Sequence, residues 1–252
     1  MQEFWIGAGD AAKQVLLPPP EEEVIPGVVW GKGEMLDTAA YWALRCIVEE
    51  NPLHGFVSEN SNLVEEIGFC VLGGFGIKAE LNGAAFDRLK SAGVFDLTYA
   101  ISENQIRDLL IEPLDVSGRK IKYRFPNQRA SRLNSMRESL SNTDINNFTS
   151  ETLKSYLSTL RGVGPKTAAW IVRNHFDCDD VAIIDIHVIR ACKALNVFPD
   201  NFSLPKDYAP LEVRFLDFAR AMNIRPAVLD AVMWNEMRDA QRARTPRQLA
   251  LL

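Results

Sequence analysis

Residues 160–174 read LRGVGPKTAAWIVRN, and residues 181–190 read VAIIDIHVIR. Ahead of the first stretch, Leu153, Tyr156, Leu157 and Leu160 recur at the spacing of an amphipathic helix, with Ser150 placed as its N-cap. That helix stops at Arg161-Gly162-Val163-Gly164-Pro165. A second helix starts at Pro165, because a proline in the first helical position sacrifices no hydrogen bond and its fixed φ suits the turn. Ala168, Ala169, Ile171 and Val172 give this helix a small, close-packing face. Residues 150–176 are therefore a helix, a tight glycine hairpin and a helix. Two glycines let the backbone approach another molecule, and the N–H groups at the helix start favour an anion. Such a cradle carries no base information, so a nucleic-acid phosphate is its natural ligand. The plainer alternative is a C-cap glycine followed by a helix-starting proline.

Outward from the hairpin the pattern is almost wholly helical. Helices are predicted near residues 36–50, with Tyr41, Leu44 and Val48 on one face, and 62–72, with Leu63, Ile67, Cys70 and Val71 together. Others follow over 84–92 and 103–111, each closed by Gly or Pro. Pro18–Pro20, Glu21–Glu23 and Pro26-Gly27 make the first thirty residues an extended segment. The run Val181-Ala182-Ile183-Ile184 reads as a short strand or as a buried loop before a helix capped by Asp185, and the loop is preferred. The fold class is all-α. Residues 1–60 hold an N-terminal extension and first helix, 61–200 a helical core with the hairpin and the 181–190 loop, and 201–252 the remaining helices.

The 252 residues, 47% hydrophobic and 24% charged, have ordinary globular composition. No apolar run approaches a membrane span, and MQEFWIGAGDAAKQ at the start lacks the features of a signal peptide. A cytoplasmic monomer is expected, lying with the nucleoid in a bacterium or archaeon. Cys46, Cys70, Cys178 and Cys192 are widely separated and show no zinc or iron–sulfur spacing, so reduced thiols and no metal or other cofactor are expected. A net charge of −5 argues against a non-specific nucleic-acid coat. Yet residues 116–137 carry seven Arg or Lys and no acid, interleaved with Tyr123, Phe125, Asn127 and Gln128. That mixture suits gripping phosphates and probing a base stack, although a charged run is also often a solvated face.

The two opening stretches resemble the helix-hairpin-helix GPD superfamily of DNA glycosylases, and particularly its 8-oxoguanine branch. The likeness is close through them and holds at helix level over about residues 60–250. It implies two helical lobes with the active-site cleft between them, residues 1–60 packing on the C-terminal lobe, a catalytic loop at 181–190, and residues 201–252 completing the second lobe. It implies that Lys166 is the nucleophile that captures the sugar C1′ as a Schiff base, whose electron-sink character permits β-elimination of the 3′ phosphate. It implies that Asp185 stabilises the oxocarbenium-like transition state and moves protons afterwards. The damaged base must swing out of the duplex and stack on apolar walls, for which Trp234 and Trp170 are the candidates. Asp230, four residues before Trp234, would accept from N1–H and the 2-amino group of a guanine. Gly162, Val163 and Gly164 would hold a phosphate, and His187 either touches one or is satisfied internally.

The run Leu72-Gly73-Gly74-Phe75-Gly76 lies where many relatives carry a glutamine that probes the opposite strand, so Asn127 and Arg129 are expected to substitute, with Arg124 on the backbone and Phe125 as a wedge. The iron–sulfur cysteines of other branches are absent. The implied activity is a bifunctional DNA glycosylase/AP lyase of base excision repair, acting on double-stranded DNA that contains 8-oxoguanine or a related oxidised guanine. The same lysine chemistry on a different modified base, and a non-catalytic hairpin protein that only holds DNA, stand as alternatives.

Overall fold

The structure, a computed structural model, describes residues 1–7, 12–49, 62–74 and 76–244 of the chain. The order of elements is β1 (Gln2–Ile6), β2 (Lys13–Leu17), β3 (Glu23–Ile25), β4 (Val28–Val29), α1 (Ala39–Val48), α2 (Leu63–Leu72), α3 (Ala79–Ser91) and α4 (Glu103–Ile111). There follow β5 (Leu114–Val116), β6 (Arg119–Ile121), α5 (Pro126–Ser141), α6 (Ser150–Leu157), α7 (Pro165–Phe176), α8 (Ile186–Ala194), α9 (Tyr208–Ala221) and α10 (Pro226–Arg244). Helices build the fold, and among the described residues the strands pair as three antiparallel hairpins. No helix of the described residues is long and apolar enough to cross a membrane.

The N-terminal segment is extended, as its sequence predicts, but it is also paired into two hairpins that the sequence reading did not anticipate. In β1 the side chains alternate between half-buried Gln2, Phe4 and Ile6 and exposed Glu3 and Trp5, and Phe4 pairs with Val15 across the ladder. Pro18–Pro20 sit between β2 and β3 rather than within a strand, which is where residues unable to donate to a ladder belong, while Glu23 opens β3 opposite Val29. Pro26-Gly27 turns β3 into β4, with Gly27 at a φ of +82°. Likewise Ser117-Gly118, both at positive φ, turns β5 into β6, so the basic segment opens as a hairpin before it becomes α5.

Chain contacts divide the protein into two compact units, Met1–Val57 with Asp177–Leu252, and Ser58–Phe176. The sequence boundary at 200 is thus replaced by one at Asp177, because the 181–190 loop and α8 pack with α10. In the Ser58–Phe176 unit, Ile67, Leu72, Leu89, Ile106, Leu110, Leu133, Leu140 and Leu153 are fully buried. The face of α2 is the predicted one, with Leu63, Ile67 and Val71 inside. α3 starts earlier than expected, and α6 is capped by Thr149 through a reciprocal bond with Thr152 rather than by Ser150. In the other unit α1 turns a different face inward, burying Ala39, Ala40, Trp42, Ala43 and Cys46 while Val48 is exposed. Arg45, on the side assigned to the core, instead bonds Glu236 of α10 at 2.8 Å, with Tyr41 reaching the same carboxylate at 3.4 Å.

Candidate active site

The hairpin forms as its sequence dictates. After α6 the chain turns through Gly162 at a φ of +91°, Val163 is buried and donates to the Leu160 carbonyl, and α7 begins at Pro165. Lys166 is the second residue of that helix, and its Nζ lies 5.9 Å from the centre of the Trp170 ring. With Thr167 and Trp170 it lines a cavity of about 190 Å³, closed by Phe69 and Cys70 of α2, the Gly73-Gly74 turn and Asn82 of α3. Burial pushes the Cys70 thiol well above its usual range; the Glu66 carboxylate adds to the shift and the Lys166 charge opposes it. Beneath the cavity, Asn174 of α7 donates to Glu66 of α2 at 2.8 Å and accepts from Arg173 at 3.2 Å. These groups are buried, so breaking the bolt would strand a charge in the interior.

In the other unit, residues 181–184 are a loop, and the structure shows why they are not a strand. Ala182 N–H donates to Glu212 at 3.1 Å, Ile183 N–H to Asp230 at 3.1 Å and Ile184 N–H to the Tyr208 hydroxyl at 3.1 Å, while that hydroxyl donates to the Ala182 carbonyl at 2.7 Å. Side chains of α9 and α10 thus take the bonds that a neighbouring strand would have made. Upstream, Arg225 clamps Asp177 at 3.0 Å and Asp179 at 2.8 Å. The loop delivers Asp185 as the N-cap of α8, where Oδ1 accepts from His187 N–H at 2.8 Å and Val188 N–H at 3.0 Å. Capping occupies one oxygen and leaves Oδ2 for other work.

One expectation changes on α10. Asp230 is 2% exposed and is engaged by Ile183 N–H, so it ties the loop to α10 rather than presenting a free edge to a base. His187 of α8 sets its ring edge-on to Trp234, with centroids 6.0 Å apart. Arg238 of α10 places its guanidinium 4.3 Å from the Trp234 ring centre.

The basic stripe divides into inside and outside members. Arg129, 7% exposed, donates to the Gly73 carbonyl at 2.7 Å and so fixes the glycine turn instead of meeting an orphan base. Arg137 is buried too, donating to the carbonyls of Val94, Asp96 and Tyr99. Tyr123 donates to the Leu72 carbonyl, and burial pushes its hydroxyl up to about 12. Arg124 and Asn127 stay exposed, Arg124 stacking on Phe125 at 5.0 Å. Two arginines that sequence reasoning missed flank the hairpin. Arg132 lies over Gly162, where an added Cβ would come within 2.5 Å of its Nε, and Arg161 approaches Ser131 at 3.4 Å. Burial, then the neighbouring charges of Arg129 and Arg161, lower the proton affinity of Arg132. The signal available was their place in the stripe and in the hairpin, but nothing in the pattern said that α5 and the hairpin meet.

A lysine at the exit of a glycine hairpin, an aspartate capping the helix after the next loop and guanidinium groups around the hairpin define a helix-hairpin-helix DNA glycosylase. The sequence family described as Ogg-HhH, 8-oxoguanine DNA glycosylase, matches residues 53–224. The chain belongs to that family. It is 30% identical over 185 residues to the 8-oxoguanine DNA glycosylase/AP lyase of Picrophilus torridus, covering 70% of this chain and 79% of the relative. Its fold is similar to that of the 8-oxoguanine DNA glycosylase of Thermotoga maritima, with a TM-score of 0.52, 22% identity and coverage of 79% of this chain and 89% of the other. The Methanocaldococcus jannaschii 8-oxoguanine glycosylase/lyase in complex with a 15mer DNA containing 8-oxoguanine is similar at a TM-score of 0.53 and 22% identity, with the same coverage of 79% and 89%.

Proposed function

We propose that the chain excises 8-oxoguanine from double-stranded DNA and then cuts the strand at the abasic site, with Lys166 as nucleophile and Asp185 as the transition-state carboxylate. The placement of Lys166 carries this reading: it stands at the hairpin exit, on the wall of a cavity, and no carboxylate ion pair to it is present among the described residues. Its neutral amine adds to C1′ as the glycosidic bond breaks, and the base departs with the bonding electrons and gains a proton. Loss of the ring oxygen from C1′ opens the sugar and gives a Schiff base. Removal of a C2′ proton then expels the 3′ phosphate, and water frees the lysine. Asp185 stabilises the positive charge that develops on the sugar as the base leaves, and is suited to shuttling protons in the later steps.

DNA is held through its phosphates by Gly162 and Gly164, the Val163 N–H being taken by the Leu160 carbonyl, with Arg124, Asn127, Arg132 and Arg161 alongside. Trp234, braced by His187, supplies an aromatic wall for the extruded base. The protein acts as a monomer on chromosomal DNA in the cytoplasm or nucleoid. The test is a panel of duplexes that each bear one modified base: release and strand scission at 8-oxoguanine support the reading. Indifference to 8-oxoguanine with scission at another lesion would transfer the chemistry to that base. Binding with no product on any lesion would reduce the protein to a DNA holder.

A further inference from the structure

Two side chains on the Lys166 cavity carry polar atoms that no group among the described residues satisfies. Asn82 is 6% exposed; its Nδ2 donates to the Phe69 carbonyl at 3.2 Å, and its Oδ1, shielded from water, accepts from no group among the described residues. The indole Nε1 of Trp170 is also shielded and donates to no group among the described residues. The bond to Phe69 fixes the amide's orientation: the nitrogen is committed, so Asn82 offers a bare acceptor. Gly73 keeps it in place, since a Cβ there would lie 3.2 Å from Nδ2. A buried acceptor and a buried donor on one cavity, both unmet, call for a ligand that completes them.

The identity of that ligand rests on the reading of Lys166 as nucleophile. The base to be lost is bonded to the carbon that Lys166 attacks, so a cavity lined by this lysine lies within one base of the reacting atom. We propose that the cavity reads the five-membered-ring edge of an oxidised purine, with Asn82 Oδ1 accepting from N7–H and Trp170 Nε1 donating to the C8 carbonyl. Oxidation at C8 converts N7 from an acceptor into a donor and sets a carbonyl beside it. An intact purine presents an N7 lone pair and C8–H, which opposes the Asn82 acceptor with a second acceptor and leaves the indole donor unmet. Rejection of the normal base thus comes from a penalty as well as from lost contacts. Trp170 contributes its N–H, while Lys166 lies over its ring. 8-Oxoadenine, which carries the same N7–H and C8 carbonyl, is read in the same way.

The experiment compares single-turnover excision of 8-oxoguanine and of 8-oxoadenine with cleavage of a preformed abasic duplex by the same protein. The ratio of the two rates cancels any loss of folded enzyme or of lysine reactivity. Asn82→Leu removes the acceptor, and Trp170→Phe removes the N–H while keeping a ring. In each variant the ratio should fall about tenfold or more for both lesions, because a buried hydrogen bond is lost and its partner on the base is left unmet. A wild-type ratio in Trp170→Phe, with a borohydride-trapped adduct still forming on the abasic duplex, overturns the proposal, and this variant decides alone if Asn82→Leu does not fold. Absence of any adduct from the wild-type protein would instead overturn the Lys166 reading on which the proposal stands.

Discussion

The carboxylate of Asp230 on α10 accepts the backbone N–H of Ile183 at 3.1 Å, two residues before Asp185. With Glu212 and Tyr208 it makes a side-chain scaffold for a stretch that has no strand partner. The position of Asp185 therefore depends on groups that need not touch DNA. Asp230→Asn, Tyr208→Phe and Glu212→Gln should each cost about 1–3 kcal/mol in denaturant unfolding. Each should also lower the excision rate more than DNA affinity, read as single-turnover rate against equilibrium binding.

Arg132 and Arg161 stand beside the hairpin with no carboxylate partner among the described residues. Arg132→Ala and Arg161→Ala should each reduce the slope of log affinity against log salt by up to about one. Unchanged slopes would assign both to a solvated face. Arg129→Ala should act differently, loosening the Gly73 turn and lowering stability, because its guanidinium is spent on a carbonyl.

Gly162 combines a φ of +91° with the guanidinium of Arg132 where a Cβ would stand. Gly162→Ala should destabilise the protein by about 1–3 kcal/mol and weaken DNA binding at the hairpin. Gly164, where an added Cβ meets nothing within 4 Å, should tolerate alanine in the fold, making it the control for thermal unfolding.

The thiols make a pH prediction. Burial raises Cys46 to about 12, and it raises Cys70, Cys192 and, to a lesser degree, Cys178 above the ordinary thiol range. A raised thiol stays protonated as pH climbs, and the thiolate is the reactive form. Native protein at pH 8 should therefore react slowly with a thiol reagent at all four cysteines, and rapidly once unfolded. Fast native labelling at Cys46 would contradict its burial.

The hairpin, Lys166 and the Asp185 cap were legible because local rules decide them: glycines at a turn, proline at a helix start, a short acid at an N-cap. α4 was legible from its pattern and the proline that follows it, and the structure adds a Ser102–Gln105 capping box at its start. What escaped depends on long-range pairing. The β1–β2 hairpin hid behind the conspicuous proline run, and the alternation in Gln2–Ile6 spans only five residues. The inward face of α1 was set by where α10 packs and by Glu236, and the fates of Asp230, Arg129 and Arg137 by backbone groups distant in sequence. A carboxylate or guanidinium committed to a carbonyl or N–H far along the chain looks, in sequence, like one free to bind a substrate.

The most direct measurement is borohydride reduction during reaction with a duplex containing 8-oxoguanine, for the wild type and Lys166→Gln. The wild type should give a covalent protein–DNA adduct whose modified peptide carries Lys166, and the variant should give none while binding the same duplex with nearly unchanged affinity. No wild-type adduct, or an adduct that persists in Lys166→Gln, would contradict the assignment of this amine as the nucleophile.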